Sequence, residues 1–402
     1  MSSWHKLGII GALYVAQGLP FGFFTQSLPV LLRQQGLSLT EIGLTSLLAL
    51  PWAFKFVWAP LLDRWYWPRL GRRRSWLLPL QAMTIGVLLG AAFIDPADSL
   101  KPIFLVVFLC NLLAATQDVA TDGMAVQLLN PRERGLGNGF QVAGYRVGMI
   151  LGGGALLIFF ETLGWQNSFM LMALLVALCS LPALLFDEPR RLPPPASPSS
   201  GMLWHFLRRP GVIAWLAVIV IYKLGDAVGA GMVRPFLVDL GLGLADIGWL
   251  LGTAGFAASL FGALLGGYLT GLWGGYRALL CFGGLQAISI AAYALAALGF
   301  DSTQWLYGLT IFENLTGGMA TAALFTMMMS ACRNESAGTD YTMQASLFVI
   351  ATGVAVSLSG FLADAVGYAS YFGLSGLLAL GAIVPVGIAA MRGGFRALRP
   401  AD

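Results

Sequence analysis

The chain has 402 residues, of which 57% are hydrophobic and only 10% are charged, and its mean hydropathy is +0.77. Soluble globular domains carry about 25% charged residues. A surface this poor in charge would not keep the chain dissolved, so the composition excludes a soluble protein. The net charge of +4 comes from basic residues in short loops, a membrane-topology pattern that gives no reason to expect a nucleic-acid partner.

Apolar runs of about 20 residues, the length that crosses a bilayer as a helix, recur along the whole chain. They predict an all-α integral membrane protein with twelve transmembrane helices. The predicted spans are 7–32, 41–62, 75–94, 102–128, 136–160, 167–186, 212–239, 244–270, 278–299, 304–331, 339–365 and 369–391.

The basic residues predict the orientation of these spans. With the N-terminus in the cytoplasm, 17 Lys and Arg lie in cytoplasmic segments and 2 in outer loops. Because cytoplasmic loops are enriched in Lys and Arg, we expect both termini to be cytoplasmic. The polar stretch 187–211 is rich in Pro and Ser and is predicted to be a cytoplasmic linker between an N-terminal six-helix bundle, 1–186, and a C-terminal one, 212–402.

Two segments recur at nearly one offset, which indicates that the halves are duplicated. Residues 36–43, GLSLTEIG, match residues 241–248, GLGLADIG, at five of eight positions and an offset of 205. Residues 161–165, ETLGW, resemble residues 364–368, DAVGY, at an offset of 203. Duplication of a six-helix unit about an axis along the membrane normal occurs in secondary transporters.

Four motifs carry a resemblance to a known family: YVAQGLP at 14–20, LPWAFKFVWAP at 50–60 with Asp63, QDVATD at 117–122, and GYR at 144–146. With them the first half resembles the group of the major facilitator superfamily that contains AmpG-type muropeptide permeases and the rhizobactin and pyochelin ferric-siderophore permeases. The second half is similar mainly in layout. The resemblance implies the major facilitator fold, a solute site near mid-membrane, and a cavity lined by helices one, four, seven and ten.

The loop after the second span departs from the superfamily pattern. That pattern reads D-R-x-G-R-R, whereas residues 63–74 read DRWYWPRLGRRR, with extra residues before the glycine. The resemblance implies a cytoplasmic brace in this loop, formed by Asp63, Arg64, Arg72 and Arg73, and the insertion predicts that its shape differs here.

Ionisable residues within spans are costly, by roughly 2.5–3.5 kcal/mol each, and are therefore candidates for function. In the first half, Asp118 and Asp122 lie four apart on one face of span four. By depth, Asp118 could pair with Arg146, and Asp122 with Lys55. These residues are either structural ion pairs or, when a pair opens, sites for a proton (Asp118 or Asp122) and for an anionic solute (Arg146).

In the second half, Lys223 and Asp226 lie three apart in span seven, and Glu313 and Asn314 lie near the middle of span ten. Because the resemblance places these helices at the cavity, we expect Asp226 and Glu313 to carry the coupling proton. Lys223 and Asn314 are expected to meet the solute. A buried structural pair is the alternative.

The first span offers further solute contacts. Pro20 is expected to bend the helix and free backbone groups that line a cavity. The candidate contacts are Tyr14, Gln17, Phe21 and Phe24. Ordinary helix packing is the alternative.

The sequence therefore predicts a proton-driven symporter of the bacterial inner membrane. We expect no enzyme activity, no cofactor and no metal site, and a monomer whose partners are the bilayer, protons and a small solute. A ferric siderophore is the favoured solute, because muropeptide permeases of this group tend to be longer. AmpG-like import of muropeptides is the nearest alternative, and a non-transporting sensor or scaffold is the alternative of another class.

Overall fold

The computed structural model describes residues 2–28, 32, 45–94, 101–188 and 201–392, and this part of the chain contains helices and no strands. The α-helices are α1 Ser3–Gly22, α2 Leu50–Phe54, α3 Ala59–Arg64, α4 Arg74–Ala91, α5 Lys101–Leu128, α6 Arg134–Met149, α7 Leu156–Leu185, α8 Met202–Leu207, α9 Val212–Tyr222, α10 Leu224–Asp239, α11 Leu244–Ile247, α12 Gly255–Trp273, α13 Gly275–Ala297, α14 Thr303–Ala331, α15 Ala337–Gly381 and α16 Ile383–Met391. The all-α prediction holds for this part of the chain.

Seven helical segments of the described chain are long and apolar enough to cross a membrane. They are Ser3–Thr25, Lys101–Leu128, Thr162–Leu185, Val212–Asp239, Gly248–Trp273, Gly275–Ala297 and Asn334–Met391. The protein is therefore a multi-pass membrane protein. The count of twelve spans and the cytoplasmic position of the termini stay predictions.

The second predicted span, 41–62, is a broken helix. Residues 41–44 lie outside the described part, and α2 and α3 are joined by a 3₁₀ turn, Lys55–Val57. Pro51 and Pro60 each stand in the first turn of their helix, where the missing N–H costs nothing. The breaks therefore follow from the two prolines.

The first span continues through Pro20 and changes to a π-helix at Phe23–Ser27. Glycines let it pack closely on α6: a Cβ at Gly18 would lie 2.1 Å from the carbonyl oxygen of Tyr145. Small residues commonly permit such backbone contact between membrane helices. This contact brings the polar side chains of α1 next to those of α6.

The duplicated motif at 161–165 and 364–368 has the same backbone conformation in both copies. Gly164 interrupts α7 at φ +70°, and Gly367 interrupts α15 at φ +74°. A positive φ is readily adopted only by glycine, which explains why glycine is the identical residue of this repeat. Residues 36–43, the first copy of the other repeat, lie outside the described residues.

The residue after each glycine packs into a matching group of aromatic rings. Trp165 lies 4.6 Å from Phe169 and 6.3 Å from Phe23, measured between ring centroids. Tyr368 lies 6.2 Å from Phe372 and 5.0 Å from Phe236. These rings belong to two separate apolar cores, one in each half of the sequence.

The chain divides into two compact units. Unit 1 consists of Met1–Leu129, Phe140–Trp204 and Arg333–Ser346, and unit 2 consists of Asn130–Gly139, His205–Cys332 and Leu347–Asp402. Each unit thus holds one half of the sequence, with two exceptions. Residues 130–139, at the start of α6, belong to unit 2, and residues 333–346, at the start of α15, belong to unit 1. The bundle boundaries stay a prediction, and residues 189–200 of the linker lie outside the described part.

Candidate functional site

A buried ion pair lies within unit 1. The ammonium of Lys55, in the 3₁₀ turn after α2, contacts the carboxylate of Asp118 on α5, and the two side chains are 4% and 9% exposed. The sequence favoured Arg146 as the partner of Asp118 and Asp122 as the partner of Lys55, and the Lys55 pairing was wrong. Arg146 is half-buried in the last turn of α6.

Asp122, one turn further along α5, is held by neutral donors. Its Oδ1 accepts hydrogen bonds from the Tyr14 hydroxyl and, at 3.2 Å, from Nε2 of Gln141. Nε2 of Gln141 also lies 2.7 Å from the Tyr14 oxygen. A carboxylate between a hydroxyl and an amide can gain or lose a proton without breaking an ion pair of its own.

Two buried amide oxygens beside this carboxylate have no hydrogen-bond partner among the described residues. They are Oε1 of Gln17 and Oε1 of Gln141, on side chains only 2–3% exposed. Gln17 does donate, through Nε2, to Oγ1 of Thr121 at 3.2 Å. Because a buried acceptor without a partner is costly, these oxygens indicate a place that water or a polar ligand would occupy.

Three aromatic rings surround the same region. Phe21 lies 5.8 Å from Trp52 and 5.6 Å from Tyr145, and Trp52 lies 5.4 Å beneath the ammonium of Lys55. The sequence predicted Phe21 but missed Trp52 and Tyr145, although both lie within motifs 50–60 and 144–146. Phe24 was a candidate and is corrected: it packs in the apolar core of unit 1.

A second cluster of buried charges lies within unit 2, where a span is broken. Lys223 has non-helical dihedral angles and separates α9 from α10, so the predicted span 212–239 is two helices. Its ammonium lies 2.7 Å from Oδ2 of Asp226 and 3.4 Å from the carbonyl oxygen of Gly317. The other oxygen of Asp226, Oδ1, is buried without a hydrogen-bond partner among the described residues.

Polar side chains from two more helices meet near Gly317 of α14. Glu313 is 8% exposed, and its Oε2 accepts from Nδ2 of Asn314 at 2.8 Å. A Cβ added at Gly317 would lie 3.2 Å from Nε2 of Gln286 on α13 and 3.9 Å from Oε1 of Glu313. Nε2 of Gln286 has no partner among the described residues, and the sequence offered no signal for it beyond a polar residue within an apolar run.

Within unit 1, Asp63 joins the loop after the second span to the start of α15. Arg73 lies 2.7 Å from Oδ1 of fully buried Asp63. Asp63 Oδ2 accepts from the backbone N–H and the hydroxyl of Thr339, each at 2.6 Å, in the first turn of α15. An anion is favoured at a helix N-terminus, so this carboxylate fixes the loop to the start of α15.

Neighbouring arginines of the loop differ in environment. Arg72 is buried over the ring of Tyr66 and donates to the carbonyl oxygen of Glu335 at 2.9 Å; burial, together with the charge of Arg73, lowers the pKa of Arg72. Arg64 is exposed. The sequence missed Glu188, whose carboxylate accepts from the backbone N–H of Arg73 at 2.9 Å and caps the start of α4.

Comparison with known proteins was consistent with this architecture. The family Major Facilitator Superfamily matches residues 10–344. The anhydromuropeptide permease of Escherichia coli K12 is 32% identical over 94% of this chain and 78% of its own length. A putative transporter AmpG 4 of Rickettsia felis is 24% identical over 94% of this chain and 95% of its own.

Two solved structures share the fold at low sequence identity. The transporter FucP superposes with a TM-score of 0.72 at 13% identity, covering 95% of this chain and 98% of its own. A bacterial homologue of the iron transporter ferroportin gives a TM-score of 0.68 at 15% identity, covering 98% and 99%. The family match, the relatives and the fold together assign the chain to the AmpG-like group of the major facilitator superfamily of membrane transporters.

Proposed function

We propose that this protein imports a muropeptide, an amino sugar carrying a short peptide, across the bacterial inner membrane in symport with protons. The observation that carries the proposal is the 32% identity, over 94% of the chain, to a relative named anhydromuropeptide permease. The solute moves without any bond being made or broken in it, so the protein is a carrier and not an enzyme.

A ferric siderophore is no longer the favoured solute. That choice rested on chain length, since muropeptide permeases tend to be longer. The Rickettsia felis relative named AmpG is matched over 95% of its own length by this chain, so length does not separate the two groups. The iron-transporter homologue supports the fold alone, at 15% identity.

The chemistry within unit 1 suits the sugar. Phe21, Trp52 and Tyr145 present aromatic rings, and rings of this kind pack against the apolar faces of a sugar. The oxygens of Gln17 and Gln141, which have no partner in the described part of the chain, supply acceptors for hydroxyl and amide hydrogens. The combination of apolar walls with a few directed polar groups is typical of small-molecule sites.

The chemistry within unit 2 suits the peptide and the proton. Lys223 supplies a buried positive charge for a carboxylate. Nε2 of Gln286 supplies a donor that has no partner within the described ranges. We assign the coupling proton to Glu313, because it is 8% exposed and hydrogen-bonded to neutral Asn314. Asp226 is its closest rival but is already paired with Lys223.

The contacts of Asp63 would act as a conformational lock. A carrier must open and close its cytoplasmic end in each cycle, and hydrogen bonds to a helix N-terminus can form and break as one unit. Loss of the Asp63 carboxylate is expected to release the start of α15.

Uptake into right-side-out membrane vesicles tests the proposal. A labelled anhydro-muropeptide should accumulate only when this chain is expressed, lose its accumulation with a protonophore, and be displaced by unlabelled muropeptide but not by a ferric siderophore. Accumulation of a labelled ferric siderophore instead would return the solute to the siderophore class. A folded protein that accumulates neither solute would favour a sensor or scaffold.

A further inference from the structure

The inserted aromatic residues of the loop after the second span form a groove whose lining contains none of the candidate proton or solute residues of the two clusters described above. The groove has a volume of about 520 Å³ and is lined by Arg64, Trp65, Tyr66, Trp67, Ser75, Trp76, Pro79, Leu80 and Met83. All of these residues belong to unit 1. The tryptophans of the groove lie at the end of the spans that the positive-inside rule assigns to the cytoplasm.

The groove is held in shape by its own backbone contacts. Nε1 of Trp76 donates to the carbonyl oxygen of Trp65 at 2.6 Å, and the N–H of Trp67 donates to Oγ of Ser75 at 2.9 Å. The rings of Trp65 and Trp67 are nevertheless 65% and 63% exposed. The backbone of both residues is therefore held in place while their indole rings face the surface, as interfacial tryptophans do at lipid headgroups.

One wall of the groove continues along the membrane. Pro79 and Met83 of α4 extend it away from Trp76, and Met83 is 49% exposed. At 1.5 Å per residue, the distance along the helix axis from Trp76 to Met83 is about 10 Å. An acyl chain could lie along this apolar wall while its headgroup stays beside the tryptophans.

The charge beside the groove is positive and only partly neutralised. Arg73 is paired with Asp63, and Arg74 lies 3.7 Å from Asp187. Arg64 and Arg69 are exposed, and neither has a carboxylate within ion-pair distance among the residues that the structure describes. A guanidinium binds phosphate oxygens with well-matched geometry.

We propose that this groove binds an anionic phospholipid of the inner leaflet, with its phosphate at Arg64, its glycerol region against Trp65 and Trp67, and one acyl chain along α4. Charge complementarity selects an anionic lipid over a zwitterionic one. The site is independent of which solute the protein carries. The proposal gives a role to the extra aromatic residues that make this loop longer than the superfamily pattern.

Native mass spectrometry of the delipidated, detergent-solubilised protein tests the proposal. Phosphatidylglycerol should bind saturably and more tightly than phosphatidylcholine with the same acyl chains. Arg64→Gln should lower the affinity for phosphatidylglycerol about fivefold, the effect of one basic residue near an anionic surface. Trp67→Ala should weaken the binding of both lipids.

Two exposed residues elsewhere provide matched controls. Arg277→Gln removes an exposed arginine at the start of α13, and Trp249→Ala removes an indole that is 64% exposed; neither should change lipid affinity. Equal binding of the two lipids, or equal effects of Arg64→Gln and Arg277→Gln, would overturn the proposal. Displacement of the lipid by millimolar glycerol phosphate would show a soluble phosphate site and would overturn it as well. Since Arg64 is an exposed side chain, its variant keeps the test valid even if Trp67→Ala does not fold.

Discussion

The buried pair of Lys55 and Asp118 permits a quantitative test of the first-half charges. Asp118→Asn leaves the ammonium of Lys55 without its partner in a site where the lysine is only 3% exposed. Breaking a buried pair by removing one charge costs about 3–5 kcal/mol. Two charges 4 Å apart attract by about 4 kcal/mol at an effective dielectric constant of 20, which gives the same scale.

Asp122 reduces this cost. Its carboxylate lies one turn from Asp118 on the same face of α5, so it is positioned to replace part of the lost attraction. We therefore expect the lower end of the range, a loss of about 3 kcal/mol in the free energy of unfolding. The double variant Lys55→Met with Asp118→Leu removes both charges and should lie within about 1 kcal/mol of the unchanged protein, or be more stable.

Unfolding by SDS in mixed micelles, followed by tryptophan fluorescence, measures these differences. Asp301→Asn is the matched control, because Asp301 is an exposed carboxylate, and it should change stability by less than about 0.5 kcal/mol. The reasoning fails if Asp118→Asn costs no more than the control. It also fails if the neutral double variant is as unstable as the single one.

Three further substitutions test separate features. Tyr14→Phe removes a donor to the buried carboxylate of Asp122 and should cost about 1–3 kcal/mol in unfolding free energy; no loss would argue against that hydrogen bond. Gly164→Ala places a side chain at φ +70° and ψ 179°, a conformation essentially restricted to glycine, and should cost about 1–3 kcal/mol. Gly353→Ala, in open helical space, should be neutral or stabilising in the same unfolding measurement; equal effects would contradict the conformational argument. Gln286→Leu removes an unpaired buried donor and should keep or raise stability while lowering vesicle uptake of the solute at least tenfold; unchanged uptake would remove this amide from the site.

The sequence predicted the class of fold because each membrane-spanning helix requires a long apolar run. It also indicated the duplication, since the repeat centred on Gly164 and Gly367 needs glycine for the same positive φ in both copies. It did not predict the breaks at Lys55 and Lys223. Both lysines stand within apolar runs that hydropathy treats as continuous helix. The break at Lys55 lies between two helices that begin at prolines, whereas no proline stands next to Lys223.

The structure brings several of the residues that the sequence singled out close together, but not in the predicted pairs. Their spacing of four residues placed Asp118 and Asp122 on one helix face, but depth alone could not decide which cation reaches Asp118, because that depends on the broken second span. Trp52 and Gln286 were missed for a related reason. An aromatic or amide residue inside an apolar run carries no sequence signal of the direction in which its side chain points.

Uptake by proteoliposomes containing only this protein tests the central claim, that a buried carboxylate couples solute movement to protons. With an inward proton gradient, the unchanged protein should accumulate labelled anhydro-muropeptide. Glu313→Gln should lose that accumulation but still exchange labelled for unlabelled solute across the membrane. Accumulation by Glu313→Gln equal to that of the unchanged protein, or accumulation that does not depend on the proton gradient, would contradict the account.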